Sequence, residues 1–154
     1  MIILDTNVVS EPLKSNPNPK VMAWLNDQDP KSLYVTAITI AELEFGMSCL
    51  PQGARRSKLN SAIERIYEVT FKGRVLPFDI SAALYYGNHK SLARRSGLAV
   101  SDTDGMIGAI ALANRRWPVA TRDVSPFLSM RVAVINPWVS ADEIEDFPPH
   151  PDIG

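Results

Sequence analysis

Apolar residues fall along this chain in two rhythms. Short unbroken runs of strand length recur at residues 2–4 (IIL), 32–38 (SLYVTAI), 74–79 (RVLPFD), 118–121 (PVAT) and 131–137 (RVAVINP). Between them the apolar positions repeat every three or four residues, the spacing of a helix with one buried face. Val21, Trp24 and Leu25 mark one such stripe in 20–28, and Ile40, Leu43 and Met47 mark another in 39–50. Leu59, Ala62, Ile63 and Ile66 share a face in 54–70, and Ala83, Leu84 and Gly87 are expected to face inward in 80–96. A further helix is predicted over 102–116. SNPNPK and the Pro51–Gly53 punctuation read as loops, the latter folding helix 54–70 back onto 39–50 as a hairpin. Short strands alternating with helices predict an α/β fold, with a mostly parallel sheet covered on both faces.

The 154-residue length suits one domain, and 45% hydrophobic residues can fill its core. Cys49 is the single cysteine, so no internal disulfide forms, which fits a reducing compartment such as the cytoplasm. No apolar run approaches the roughly 18 residues of a membrane span, and Asp5 interrupts any signal-like core at the N-terminus. The formal charge is −1, so contact with nucleic acid must rest on local patches rather than a global basic field. The segment 139–154 is acidic and proline-rich and is expected to lie outside the domain of residues 1–138.

Charge changes the picture at the strand ends. In open parallel α/β sheets, sites form in the crevice beyond the carboxyl ends of the strands. Asp5 ends the first strand, Glu42 opens the helix after the second, Asp104 lies in the first turn of helix 102–116, and Asp123 follows the strand at 118–121. Carboxylates brought together repel, and a hard divalent cation relieves the repulsion. Oxygen ligands suit Mg²⁺ or Mn²⁺, whereas His89, His150 and Cys49 have no zinc spacing. Such an ion can activate water and neutralise charge on a phosphodiester undergoing hydrolysis. Each acid also has a plainer reading: Asp5 and Asp123 as turn residues, Glu42 and Asp104 as partners of Thr39 and Ser101 in helix-start boxes. No glycine-rich phosphate loop follows any strand, which disfavours nucleotide binding of the P-loop or dinucleotide kind. Asp5-Thr6-Asn7 lacks the second acid that the aspartate loop of haloacid-dehalogenase-type phosphatases needs. His89 is expected on a solvated helix face beside Lys90.

LDTNVVSE at 4–11, TAITIAELEFG at 36–46, VSDTDGMIGAIA at 100–111 and VATRDVSPF at 119–127 together resemble the PIN domain. The likeness is to VapC/FitB-type toxins of bacterial type II toxin–antitoxin modules, and VINPW at 134–138 resembles the end of that core. The resemblance implies a PIN-like (Rossmann-like) parallel sheet flanked by helices, with a protruding helical hairpin, acting as a metal-dependent endoribonuclease. It implies Asp5, Glu42, Asp104 and Asp123 as the catalytic, metal-holding acids, with Mg²⁺ or Mn²⁺ as cofactor. Thr6, Asn7, Glu11 and Thr121 then brace the site, and Arg122 adjoins it as a substrate contact. Asp102 departs from the family pattern and reads as a cap or loop residue. Further cations that could grip RNA are Arg55, Arg56 and Lys58, Arg94 and Arg95, and Arg115 and Arg116, each cluster also readable as a solvated face. Implied partners are an RNA substrate, a cognate antitoxin similar to VapB or FitA, and a second copy in a homodimer. Two other readings stay open: a PIN-like module that binds RNA or protein without cleavage, and a DNA or structure-specific nuclease.

Overall fold

The computed structural model describes residues 1–139. Five short parallel strands form its centre: β1 (Ile2–Leu4), β2 (Leu33–Thr36), β3 (Val75–Leu76), β4 (Val119–Ala120) and β5 (Val134–Ile135). Their order across the sheet is β3-β2-β1-β4-β5, with every neighbouring pair parallel. The chain builds outward from β1 to β2 and β3, then crosses back to place β4 on the other side of β1. Strand order therefore reverses at β1, which makes the carboxyl ends of β1 and β4 the flanks of the crevice.

Side-chain alternation along these strands feeds two cores. Leu4, Leu33, Val35 and Ala120 pack on one face with Val8, Val21, Met47 and Ile63. Ile3 and Val119, one residue out of phase, pack on the other with Ile107, Ile110, Phe127 and Met130. The first face is covered by α1 (Thr6–Ser10), α2 (Pro19–Asp27), α3 (Ala37–Ser48) and α4 (Ala54–Arg65). The second is covered by α5 (Ile80–Arg95), α6 (Asp102–Ala113) and α7 (Val124–Ser129). α3 and α4 are joined by residues 49–53 and pack on each other, and α4 runs on into a single wider π turn at Ile66–Thr70. Gly53 sits at φ 152°, where a side chain would be strained.

Several expectations are corrected. The predicted strand at 32–38 stops at Thr36, because the Thr36 hydroxyl accepts from the Thr39 N–H at 3.0 Å and starts α3 two residues early. Thr39 is therefore not a cap, and Glu42 lies in the second turn rather than the first. On α5 the inward face is out of phase with the prediction. Ala82 and Ala93 are buried, with Tyr85 packed beside them, while Ala83, Leu84 and Gly87 are exposed. That rotation turns His89 inward, where its Nδ1 hydrogen-bonds the Met130 carbonyl at 2.8 Å, so His89 is not on a solvated face. Helix α6 ends at Ala113, and Arg115 and Arg116 follow in left-handed conformations (φ 55° and 58°). The segment expected outside the domain falls, from residue 140 onward, outside the described residues. Among the described residues no helix is long and apolar enough to cross a membrane.

Candidate active site

Asp5 is the first residue after the central strand, and the register of β1 on β4 decides its surroundings. Leu4 pairs with Ala120, and the Asp5 N–H donates to the Ala120 carbonyl at 3.0 Å, so Asp5 and Thr121 come out side by side. The Thr121 hydroxyl donates to Asp5 Oδ2 at 2.7 Å, and Asn7 Nδ2 donates to the same oxygen at 3.0 Å. Oδ1 accepts the Thr6 N–H at 2.7 Å, which also caps α1. A carboxylate oxygen has two lone pairs. Oδ2 is therefore filled by these donors, and Oδ1 keeps a position open.

Thr6 links Asp5 to the next acid. Its hydroxyl donates to Glu42 Oε2, tying the start of α1 to the second turn of α3. Asp104 comes from the opposite helical layer. Ser101 caps α6 by accepting the Asp104 N–H at 3.1 Å, and its hydroxyl donates to Asp104 Oδ2 at 2.6 Å. The plain reading of Asp104 as a cap partner is therefore correct, and its charge also acts on Asp5.

Asp5 is 5% exposed, and its carboxyl is pushed up from 3.8 to about 6. Burial is the main cause, the Asp104 and Glu42 charges add to it, and the hydrogen bonds from Thr121 and Thr6 oppose it. Asp123 is placed differently. It is exposed at the rim, and its N–H donates to Thr121 Oγ1 at 3.0 Å. The structure thus brings Asp5, Glu42 and Asp104 together and leaves Asp123 beside them.

The bracing residues fall into two groups. Thr6, Asn7 and Thr121 hold Asp5 directly. Glu11 lies away from the centre as a buried carboxylate that binds Lys14 Nζ at 2.6 Å and the Asn18 N–H at 2.8 Å. The Lys14 hydrogen bond holds its carboxyl below the usual glutamate range, with the Arg122 charge adding to the effect. Arg122 donates its backbone N–H to Asn7 Oδ1 at 3.3 Å, and its guanidinium stacks 5.7 Å from the Trp138 ring. Nothing in the sequence pattern marked Trp138 as the support for Arg122. Asp102 is exposed and paired with Lys90, which also donates to the Tyr86 hydroxyl at 2.9 Å.

The cation clusters separate as well. Arg56 reaches back to the Leu50 carbonyl at 3.3 Å, while Arg55 and Lys58 are exposed on α4. Arg115 and Arg116 follow α6 beyond Ala113, at the end opposite Asp104, and the helix between Asp104 and Ala113 spans roughly 14 Å at 1.5 Å per residue. That distance removes them from the centre.

The donor set suits a hard cation: carboxylate oxygens around a buried acid whose ionisation its neighbours oppose. Among the described residues no three His, Cys, Asp or Glu side chains converge on one ligating point. Mg²⁺ usually takes one or two carboxylates and keeps several waters, so Asp5 with one neighbour satisfies that requirement.

Known proteins share this chain's sequence and fold. The family model described as the PIN domain matches residues 2–129. The chain is 43% identical over 141 residues to VapC ribonuclease Y4jK of Sinorhizobium fredii, covering 92% of this chain and all of that one. It is 42% identical over 138 residues to Toxin FitB of Neisseria gonorrhoeae, covering 90% of this chain and 99% of that one. The crystal structure of FitAcB from Neisseria gonorrhoeae superposes with a TM-score of 0.81 at 41% identity, covering 90% of this chain and 99% of that one.

Proposed function

Because the chain belongs to the PIN domain family, we propose that it is a divalent-cation-dependent endoribonuclease, the toxin of a type II toxin–antitoxin module. The observation that carries this reading is Asp5. It is a buried carboxylate at the strand-order reversal, raised to about 6 by burial with Asp104 and Glu42 close by. An acid held at such cost without a counter-charge is a functional-site signal. The relatives' names, a ribonuclease and a toxin, support the activity and the biological role.

Asp5, Glu42 and Asp104 would hold Mg²⁺ or Mn²⁺, Asp5 with one neighbour directly and the other through water, and the ion would supply charge neutralisation and water activation for phosphodiester hydrolysis. Asp123 stands at the rim, where it can act on an outer ligand. The chain's own part is orientation. Asn7 and Thr121 fix Asp5 Oδ2, while Oδ1 accepts only the Thr6 N–H and keeps one position open. Thr6 holds one oxygen of Glu42, leaving Oε1 free among the described residues. Ser101 does the same for Asp104. Such pre-set ligands need little rearrangement when charge develops on the substrate. Arg122, stacked on Trp138, offers a cation to the phosphate backbone. A cognate antitoxin and a homodimer complete the proposal. Ile80 and Leu84, one turn apart on α5 and 78% and 66% exposed, give apolar surface for association.

The test is RNA cleavage with Mg²⁺ or Mn²⁺ and with a chelator. Asp5→Asn and Asp104→Asn are each expected to lower the rate by about a hundredfold or more while the circular dichroism spectrum stays unchanged. Wild-type cleavage that survives chelation, or either variant cleaving at the wild-type rate, would sink the assignment.

A further inference from the structure

The first turn of α6 holds two acids with different partners. Asp104 acts on Asp5 in the acidic centre, whereas Asp102 makes its contacts on α5. Residues two apart on a helix do not share a face, so the turn can be gripped through Asp102 while Asp104 serves the centre. The grip comes from two residues one turn apart on α5. Lys90 Nζ donates to Asp102 Oδ1, and the Tyr86 hydroxyl donates to the same oxygen at 3.1 Å. Lys90 also donates to the Tyr86 hydroxyl at 2.9 Å, which closes a triangle. The Tyr86 ring is itself held, edge-to-face against Phe78 with 6.0 Å between centroids. It also lies against Gly105, where a Cβ would come within 3.0 Å of Tyr86 Cε2 and 3.5 Å of Lys90 Cδ. α5 therefore touches residues 102 and 105, the two ends of the turn that carries Asp104.

We propose that Lys90, Tyr86 and Asp102 form a clamp that positions Asp104 for the divalent cation. The proposal rests on the cation-dependent nuclease reading above and adds three positioning residues to it. The first turn of a helix is its loosest part, because its first four N–H groups have no partner within the helix. The Ser101 cap satisfies one of them, the Asp104 N–H, but does not tie the turn to the rest of the fold. The clamp supplies that tie, so Asp104 keeps one place relative to Asp5. Mg²⁺ demands near-ideal octahedral placement of its ligands, so a small shift of one carboxylate costs affinity. Asp102 is 77% exposed, and a surface ion pair of this kind adds little to fold stability. Charge alone predicts a different pattern from a clamp. The Lys90 field opposes a cation bound nearby, and the Asp102 field favours it.

Mn²⁺ binding is measured by isothermal titration calorimetry on the metal-free full chain, without RNA. Lys90→Met and Asp102→Asn are each expected to weaken binding. The double variant changes no net charge, so it reports placement alone, and it is expected to lose about tenfold, the lower end of what outer partners of metal ligands contribute. Tyr86→Phe keeps the ring and is expected to lose less. Metal-free melting temperatures are expected to stay within about 4 °C of wild type. Tighter binding by Lys90→Met, with wild-type binding by the double variant, would reduce the cluster to its field and overturn the proposal. Wild-type affinity in every variant would overturn it too, as would an unmodified chain that binds no Mn²⁺. Affinity lost only together with a larger fall in the metal-free melt would make the cluster a plain structural support and overturn it as well. The expected binding pattern in a chain that cleaves no RNA would keep the clamp and refute the nuclease reading.

Discussion

Asp5 decides most of what happens at the scale of single residues. Its folded value is about 6 against 3.8 for a free aspartate. Between those pH values the native state binds more protons than the unfolded chain, so stability falls as pH rises. The contribution is fully present below 3.8 and gone above about 6, a span worth about 3 kcal/mol. Asp5→Asn lacks this titration. In metal-free buffer its stability relative to wild type is therefore expected to rise by about 2.4 kcal/mol between pH 4 and pH 7, read from urea denaturation at several pH values. A difference that stays flat across that range would show that Asp5 is not held at this cost. Asp5 was legible from the sequence because a polar residue ends an apolar strand. The depth of Glu42 was not, since Thr36 and Thr39 are both plausible caps and only the buried Thr36 hydroxyl has the extended backbone a cap needs. Asp123 shares its motif with Thr121, but Thr121 is the residue that turns inward.

At the level of elements, α6 carries the clearest contrast between two glycines. A Cβ on Gly108 would lie 3.5–3.7 Å from Val132, Phe127 and Met130, ordinary packing distances. A Cβ on Gly105 would lie 3.0 Å from Tyr86 Cε2. Both changes gain roughly 1 kcal/mol of helix propensity, so packing separates them. Gly108→Ala is expected to raise the melting temperature by about 2–4 °C. Gly105→Ala must displace Tyr86, whose hydroxyl joins Lys90 and Asp102, and is expected to gain nothing or lose stability. Equal stabilisation by both in a thermal melt would show that Tyr86 packs loosely. The strands and helices themselves were legible from periodicity, apart from the phase of α5. There Ala83, Leu84 and Gly87 fit a stripe as well as Ala82, Tyr85 and His89 do. Only the position of β5 and the segment before it, which puts the Met130 carbonyl under His89, chooses between the two faces.

The whole molecule places its charges by topology. A net charge of −1 hides an acidic centre where β1 and β4 end. Sequence alone located the acids at strand ends, but it could not bring Lys90 onto Asp102, because that depends on how α5 packs against α6. Only the folded chain assembles Asp5, Glu42 and Asp104, which lie far apart in sequence. A cation bound by them must therefore stabilise the fold by mass action, by about 2.7 kcal/mol at a hundred times its dissociation constant. For a chain of this length that corresponds to a melting-temperature rise of about 5–10 °C. Titration with Mg²⁺ or Mn²⁺ is expected to show this rise at neutral pH and to lose most of it near pH 5, where a proton occupies Asp5 in the cation's place. Asp104→Asn should flatten the titration while leaving the metal-free melt close to wild type, since its cap from Ser101 reaches the backbone N–H as well as the carboxylate. A rise of the same size in that variant would put the cation elsewhere on the surface and remove the acidic centre as its site.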